Sequence, residues 1–164
     1  MPLWTKSSLS LWTAAPARTS LRAAMKILFV CKENACRSLM AEELGRWLDL
    51  DEANQYFSAG IAPTQVHEGT HNTFIDRGIV PLEEPRAKSI AEALEAAGGS
   101  VDLVVTLCED SERDLPEIAG ATRRLHWPMP DPREFEGSAQ EVRSHFADIR
   151  DRIEREVSQL LDEA

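Results

Sequence analysis

The feature that most constrains this chain is an apolar, β-prone run, MKILFVC, at residues 25–31. It has the length of a β-strand and lacks the alternation of polar and apolar positions that marks a half-exposed strand. Such a run is typical of a strand buried on both faces, as in a parallel sheet. Parallel strands need crossover connections, which are usually helical. We therefore expect an α/β architecture.

Helical and strand patterns alternate along the rest of the chain. Helices are predicted at 38–48, with Ser38 as the N-cap, and at 70–77, 88–97 and 142–160. Short β-prone runs predict strands at 56–59, 102–108 and 125–128. Strands separated by helices form βαβ units with right-handed crossovers. The sequence predicts one domain at 25–164, a three-layer α/β sandwich with a four-stranded parallel sheet.

The first 24 residues have a composition of their own. They carry Lys6, Arg18 and Arg22, no acidic residue, and no apolar run long enough for a secretory signal. Two interpretations stay open. Either the segment is disordered and Met25 is the functional start, or it is a Ser- and Arg-rich transit sequence. In both cases we expect residues 1–24 to pack little against the domain.

Charge and composition bound the possible partners. The formal net charge is −10, which disfavours nucleic acid and acidic membranes and requires a local site for any anionic substrate. No apolar run approaches the roughly 18 residues of a membrane span. No Walker A or G-x-G-x-x-G motif is present, so no cofactor is expected. Three cysteines are too few for a secreted disulfide framework, so we expect a reducing, cytoplasmic compartment.

The loop after the first strand, CKENACRS at 31–38, concentrates reactive residues. Cys31 and Arg37 have the spacing C-x5-R, and a loop of this length that opens a helix can turn its backbone N–H groups towards one point. Arg37 adds a planar fork for two oxygens of a phosphate-like group. The positive field favours the nucleophilic thiolate of Cys31, to which Ser38 could donate a hydrogen bond. The predicted anion-binding residues are Lys32, Glu33, Asn34, Ala35, Cys36, Arg37 and Ser38.

Two further residues lie where predicted strands end. Cys108 closes the strand at 102–108, and Asp131 follows the strand at 125–128. Ligands of parallel sheets bind beyond the carboxyl ends of the strands. We therefore expect Cys31, Cys108 and Asp131 to meet at one edge of the sheet.

Other interpretations of the loop stay open at this point. Cys31 and Cys36 could hold zinc together with His67, His71 or His126, although no second closely spaced Cys/His pair follows at a suitable distance. The loop could also belong to a non-catalytic module that senses phosphate. Such a module would need neither a nucleophile nor a general acid.

The run VCKENACRSLMAEEL resembles the phosphate loop of the low-molecular-weight protein tyrosine phosphatase superfamily, usually written C-x-G-N-x-C-R-S. Asp131-Pro132 is similar to the late Asp-Pro of that family, and the likeness covers essentially all of 25–164. The segments MAEEL, YFSAGI and DLVVTLC resemble its arsenate reductase branch, of the thioredoxin or glutaredoxin type. The resemblance implies a phosphotyrosine protein phosphatase I-like fold.

The resemblance also implies roles for the matching residues. Cys31 would be the nucleophile, Arg37 the oxyanion clamp and Asp131 the general acid, while Cys108 would attack the covalent intermediate. Asn34 would shape the loop. Some relatives bind potassium beside the loop, through residues that match Asn34, Glu42 and Ser58.

Three departures from the family pattern bear on the function. Glu33 stands in place of a glycine, which puts a carboxylate near the anion site unless it points outward or pairs with Lys32. Leu115 occupies the place where thioredoxin-coupled relatives carry a third redox cysteine, so an external reductant must open any disulfide. Arg133 replaces the tyrosine after the Asp-Pro pair, so an aromatic wall for phosphotyrosine is poorly supplied, although Trp127 could contribute.

We therefore predict a thiol-dependent enzyme that reduces arsenate to arsenite, with thioredoxin, glutaredoxin or a small thiol as external reductant. The alternative is a protein tyrosine phosphatase, in which water hydrolyses the Cys31 phospho-intermediate and Cys108 is merely buried. The substrate is a small oxyanion in the first case and a phosphotyrosine protein in the second.

Overall fold

The computed structural model describes residues 23–163. Its elements, in chain order, are β1 (Lys26–Cys31), α1 (Arg37–Leu48), β2 (Gln55–Gly60), α2 (Glu68–Arg77), α3 (Ile90–Ala96), β3 (Leu103–Thr106), α4 (Glu109–Asp114), β4 (Arg123–His126), a 3₁₀ turn (Pro132–Glu134) and α5 (Ala139–Glu163). In this part of the chain, no helix has the length and apolar character that crossing a membrane requires. The expectation for residues 1–24 falls on a segment of which 1–22 lie outside the described residues.

The four strands form one parallel sheet in the order β2-β1-β3-β4, which confirms the predicted sheet. Central β1 is fully buried from Ile27 to Val30. The register places Cys31 beside Gly60, and Val30 beside Thr106. Because all strands run the same way, their carboxyl ends meet at a single edge of the sheet.

Alternation along β1 divides the core into two layers. Ile27 and Phe29 pack in a cluster with side chains of α1 and α5, whereas Leu28 and Val30 pack in a smaller cluster with α3. Successive side chains of a strand point to opposite faces, so a strand that is apolar throughout must be covered on both. The result is the predicted three-layer sandwich.

Helix α5 is the longest helix of the described residues and contributes to the larger core cluster. It packs against α1 and α2 through a buried stripe that consists of Phe146, Ile149, Ile153, Val157 and Leu160. Each such side chain contributes on the order of 1.5–3 kcal/mol of transfer free energy. This packing fixes α1 on the sheet, and with it the loop from which α1 begins.

Two local predictions were wrong, and one helix was not predicted. Ser38 is not the N-cap of α1, because Cys36 holds that position and its side chain makes no capping bond. Residues 109–114, for which no element was predicted, form α4, because the Cys108 side chain accepts from the Ser111 amide and caps the helix. Strand β4 lies two residues earlier than the predicted 125–128 and ends before Pro128, which lacks the N–H that a ladder needs.

Candidate active site

Residues 32–36 connect β1 to α1 and form the predicted anion loop. The backbone carbonyls of Lys32, Glu33 and Ala35 accept hydrogen bonds of 2.8–3.2 Å from amides of the segment 62–67. Within residues 23–163, the backbone amides of 32–36 donate to no acceptor. Helix α1 starts at the end of this loop with no capping side chain, so the positive end of its dipole is also free. An oxyanion requires N–H donors that are free of other acceptors. The loop meets this requirement, because its amides are unpaired and its carbonyls bond elsewhere.

Asn34 fixes the shape of the loop. Its φ of 50° lies in the left-handed region, which asparagine tolerates better than most residues. The side chain donates to Ser38 Oγ at 2.7 Å and accepts from the amide of Lys88 at 2.9 Å. The loop is therefore tied both to α1 and to the segment that precedes α3.

Cys31 lies at the start of the loop and is 2% exposed. Its Sγ lies 2.9 Å from Ser38 Oγ. Because Ser38 Oγ already accepts from Asn34, its single hydrogen is free to point at the sulfur. The hydroxyl of Ser38 is thus placed to donate a hydrogen bond to the sulfur of the candidate nucleophile.

Arg37 is the first residue of α1 and is almost completely buried. Its Nη1 donates to the carbonyl of Met129 at 2.9 Å, and its Nη2 lies 3.6 Å from Asp131 Oδ2. The structure thus brings Arg37 and Asp131 together, although they are far apart in the chain. A bound oxyanion would compete with Asp131 for this guanidinium.

Asp131 is held by Arg133 at the start of the 3₁₀ turn. Its Oδ1 accepts from the backbone and Nε of Arg133, both at 3.0 Å, and its Oδ2 accepts from Nη2 at 2.8 Å. Burial raises the pKa of Asp131, but the hydrogen bonds from Arg133 and the charges of Arg37 and Arg133 outweigh it and hold the pKa below its usual range. In this arrangement Asp131 is a carboxylate.

The charged residues of the loop take partners from other elements. Glu33 forms a close ion pair with Arg133, and Lys32 lies 3.2 Å from Asp110 of α4. The pairing of Glu33 with Lys32, considered from the sequence, is therefore not adopted. Both pairs are partly exposed and connect the anion loop to its neighbours.

Cys108 follows β3 and is 8% exposed. Its Sγ accepts from the amide of Ser111 at 3.4 Å and lies 3.3 Å from Ser111 Oγ. The amide of Leu107 donates to the carbonyl of Val30 at 2.9 Å, so the chain stays beside β1 until one residue before Cys108. The second thiol therefore leaves the sheet next to the end of the strand that carries Cys31.

Cys36 is also buried, in the loop itself. Burial raises the pKa of its thiol to about 11, and this outweighs the neighbouring donors and charges. Cys36 is thus a neutral thiol at neutral pH and a poor nucleophile. All three cysteines are free.

A cavity of about 500 Å³ opens at this edge of the sheet. The residues that line it are Lys32, Glu33, Arg37, Cys108, Glu109, Asp110, Met129, Asp131, Arg133 and Glu134. Among the described residues, no aromatic side chain lines the cavity. Trp127 instead packs on Phe29, with ring centroids 5.9 Å apart.

The zinc interpretation finds no support in the structure. Between residues 23 and 163, no three His, Cys, Asp or Glu side chains are grouped as metal ligands. His67 caps α2, where its Nδ1 accepts from the amide of Gly69 at 3.0 Å. His126 Nδ1 lies 2.9 Å from Thr106 Oγ1.

The potassium site of some relatives does not fit these residues. Ser58 donates to Glu42 in a short hydrogen bond, while Lys88 Nζ lies 3.4 Å from Glu42 and Arg46 Nη2 lies 2.7 Å from it. The Glu42 carboxylate is thus already balanced by two side-chain cations. Asn34 Oδ1, the remaining matching oxygen, accepts from a backbone amide.

We predict that Gly60→Ala weakens anion binding. An added Cβ would lie 2.7 Å from the Glu33 carbonyl carbon and 2.8 Å from the Asn34 nitrogen, so the anion loop would have to move. The affinity for inorganic phosphate, measured by calorimetry, should fall by about 10-fold, with a loss of stability of about 1–3 kcal/mol.

Gly78→Ala is the matched control for this change. Gly78 has a φ of 75°, and no atom lies within 4 Å of an added Cβ, so alanine there should cost about 1–2 kcal/mol of stability and leave phosphate affinity unchanged. Equal phosphate affinity in the wild-type and Gly60→Ala chains would contradict the prediction.

Comparison with known proteins places this geometry in a family. Residues 26–164 match the low molecular weight phosphotyrosine protein phosphatase family. The chain belongs to this family. It is 34% identical over 131 residues to an arsenate reductase of Halalkalibacterium halodurans, which covers 80% of this chain and 91% of that protein. It is 34% identical over 127 residues to an arsenate reductase of Bacillus licheniformis, with 77% and 88% covered.

Solved structures agree with this placement. An arsenate reductase in the phosphate binding state is 26% identical, has a TM-score of 0.66 and covers 85% of this chain and 98% of its own. A low molecular weight phosphotyrosine phosphatase from Vibrio cholerae O395 has a TM-score of 0.68 at 20% identity, with 85% and 96% covered, and shows the shared fold. The predicted fold class and family are thereby confirmed.

Sequence reasoning missed the partners of Arg133. From the sequence, Arg133 was identified only as the substitute for an aromatic residue. Its ion pairs with Asp131 and Glu33 were not predicted. The charge of Glu33, in a position usually held by glycine, was the signal that a compensating cation lies nearby. The hydrogen bond from Arg37 to the Met129 carbonyl was not predicted either, because every residue has a backbone carbonyl and the sequence does not show which one accepts.

Proposed function

We propose that this protein is a thiol-dependent arsenate reductase that acts through Cys31 and Cys108. The observation that carries the proposal is the second thiol: Cys108 lines the same cavity as Arg37 and Asp131. A hydrolytic phosphatase needs no second thiol there, whereas a reductase needs one to attack Cys31 Sγ of the first adduct. The arsenate reductases among the relatives support this choice.

The first step forms a bond between sulfur and arsenic. Arsenate sits on the loop amides and on Arg37, and the Cys31 thiolate attacks arsenic while one oxygen departs as water. Asp131 supplies the proton. Anion binding draws Arg37 away from Asp131 and places negative charge beside it, and both effects raise the pKa of that carboxyl towards the protonated form.

The second step is the reduction. The Cys108 thiolate attacks Cys31 Sγ, a disulfide forms, and the sulfur–arsenic bond breaks with its electron pair on arsenic. Arsenic passes from the pentavalent to the trivalent state and leaves as arsenite, while two thiols become one disulfide. A dithiol protein such as thioredoxin or glutaredoxin, or two small thiols, returns the two electrons.

The surroundings of Cys108 are compatible with movement. Helix α4 has six residues, which is too short to be stable alone. Its partly exposed pair with Lys32 and its ion pair between Arg124 and Glu112 are each worth about 0–1 kcal/mol. Local opening of this turn would free Cys108 from Ser111 and would also break the contacts of Glu112 with Thr106 and Arg124.

The residue at position 115 indicates that the electrons come from an external thiol reductant. Leu115 ends α4 and packs against the smaller core cluster, so an apolar anchor stands where a third thiol would relay electrons. We expect the reaction to take place in a reducing compartment such as the cytoplasm, where the three thiols persist.

A single-turnover experiment tests the proposal. The reduced wild-type chain is mixed with arsenate without any reductant, and arsenite and disulfides are quantified by chromatography and peptide mass mapping. We expect one arsenite and one Cys31–Cys108 disulfide per chain. Absence of arsenite, together with steady hydrolysis of p-nitrophenyl phosphate, would assign the protein to the phosphatases instead.

The phosphatase remains the second candidate for one specific reason. Cys31, Arg37 and Asp131 suffice for hydrolysis of a phosphomonoester, and the family as a whole is described by that activity. The cavity lining, which lacks an aromatic side chain among the described residues, favours the reductase.

A further inference from the structure

The guanidinium of Arg133 lines the cavity and pairs with two other lining residues. Arg133 grips both oxygens of Asp131, at 3.0 and 2.8 Å, and the same Nη2 forms a close ion pair with Glu33. Asp131 belongs to the segment after β4 and Glu33 to the loop after β1. The Glu33–Arg133–Asp131 bridge therefore ties two segments together across the site.

A second ion pair joins two lining segments of the cavity. Lys32 and Asp110 connect the anion loop to α4 at 3.2 Å. At the same site, Cys31 is 2% exposed and Arg37 is 6% exposed. A free tetrahedral oxyanion is compact enough to lie on the loop amides beneath the bridge. The ring of an aryl ester projects from its phosphate and would have to displace the bridge to reach Cys31.

We propose that Arg133, anchored by Glu33, is the specificity-determining residue that admits free oxyanions and excludes aryl phosphomonoesters. The inference deepens the proposed function and rests on it for the identity of the oxyanion. Its physical basis is the cost of breaking a bidentate, partly buried Arg–carboxylate pair, which exceeds that of an ordinary surface ion pair.

The bridge also bears on the proton that hydrolysis needs. The charged groups that face Asp131 are Arg37 from α1, Arg133 from the 3₁₀ turn and, through Arg133, Glu33. The remaining ionisable side chains in the cavity lining are Lys32, Cys108, Glu109, Asp110 and Glu134. The hydrogen bonds from Arg133 hold the pKa of Asp131 down and so reduce the protonated fraction that can donate to the leaving oxygen of an ester.

The test uses a variant that removes the bridge without changing the net charge. Glu33→Gln combined with Arg133→Gln deletes one charge of each sign. We expect kcat/KM for p-nitrophenyl phosphate to rise about 10-fold, which corresponds to about 1.4 kcal/mol. The inhibition constant of inorganic phosphate should stay within about 2-fold of wild type, and this also verifies that the variant is folded.

The pH profile of p-nitrophenyl phosphate hydrolysis is a second measurement. A general loosening of the cavity would not shift this profile. Because Asp131 must be protonated to act as an acid, loss of Arg133 should move the alkaline limb of p-nitrophenyl phosphate hydrolysis to higher pH. Arg133→Lys keeps the charge without the fork, and we expect it to raise kcat/KM about 3-fold. The Arg133→Lys variant also tests the inference if the double variant does not fold. Arg86→Gln breaks the remote, exposed pair with Glu92 and should change neither quantity.

Two results would overturn the inference. The first is that kcat/KM for p-nitrophenyl phosphate is unchanged in both the folded double variant and the Arg133→Lys variant. The second is that p-nitrophenyl phosphate hydrolysis and phosphate affinity fall equally. The latter would make Arg133 a direct ligand of the anion. Neither readout requires arsenate reduction. Failure of the single-turnover experiment therefore removes the reductase, whereas failure here removes only the role of Arg133.

Discussion

Replacing Cys31 by serine should abolish turnover of arsenate and of aryl phosphates alike, with a loss of at least about 10⁴-fold in kcat. The serine hydroxyl remains protonated at neutral pH, and the group beside it is another hydroxyl, that of Ser38. Neither can act as the base that a serine nucleophile needs. Arsenite release and p-nitrophenol release measure the two reactions.

The same variant carries its own control. The loop amides and Arg37 are untouched, so inorganic phosphate should bind to Cys31→Ser within about 3-fold of the wild-type affinity. Loss of activity with intact phosphate binding would therefore isolate the role of the nucleophile. Residual turnover above a few per cent would move the nucleophilic role to another thiol, with Cys36 the first to examine.

Replacing Cys108 by serine should eliminate arsenate reduction and leave p-nitrophenyl phosphate hydrolysis within about 3-fold of wild type. A serine cannot form the disulfide that carries two electrons away from Cys31, so turnover stops at the sulfur–arsenic adduct. Hydrolysis needs only Cys31, Arg37 and Asp131. Multiple-turnover assays with excess dithiothreitol or thioredoxin measure the first reaction and a colorimetric assay the second.

Ser111→Ala is the matched control for that experiment. It removes the hydroxyl that lies 3.3 Å from Cys108 Sγ and leaves the thiol in place. Arsenate reduction should persist, because freeing the thiol from its neighbour does not remove it. Parallel loss of both activities in Cys108→Ser would instead mean that Cys108 is a packing residue whose removal distorts the site.

The resemblance and the structure agree best where the sequence pattern is local. The buried strand, the C-x5-R loop and the helix after it occupy one continuous segment, so spacing alone places Cys31 before the loop and Arg37 at its end. The prediction of Ser38 as the N-cap was wrong, whereas its predicted contact with Cys31 is present. Its hydroxyl lies beside Cys31, because Asn34 occupies its acceptor position and leaves the hydrogen for sulfur.

The errors concern elements that depend on distant partners. Helix α4 has an acidic, polar sequence with no apolar period, and it forms because the Cys108 thiol caps it and because Lys32 and Arg124 neutralise its carboxylates. No local pattern reports such contacts. Strand β4 also depends on a partner that is distant in sequence, because its residues form a strand by pairing with β3.

The sequence by itself determined the fold class and the chemistry of the anion loop, because a strand buried on both faces requires helical crossovers and because the loop is set by spacing within one segment. Only the tertiary structure decided which charges meet at the cavity. Glu33 and Arg133 are separated by about a hundred positions, and whether they pair depends on the sheet register and on where α5 holds the 3₁₀ turn. Charge pairing between remote segments follows from distance in space, which composition and spacing do not encode.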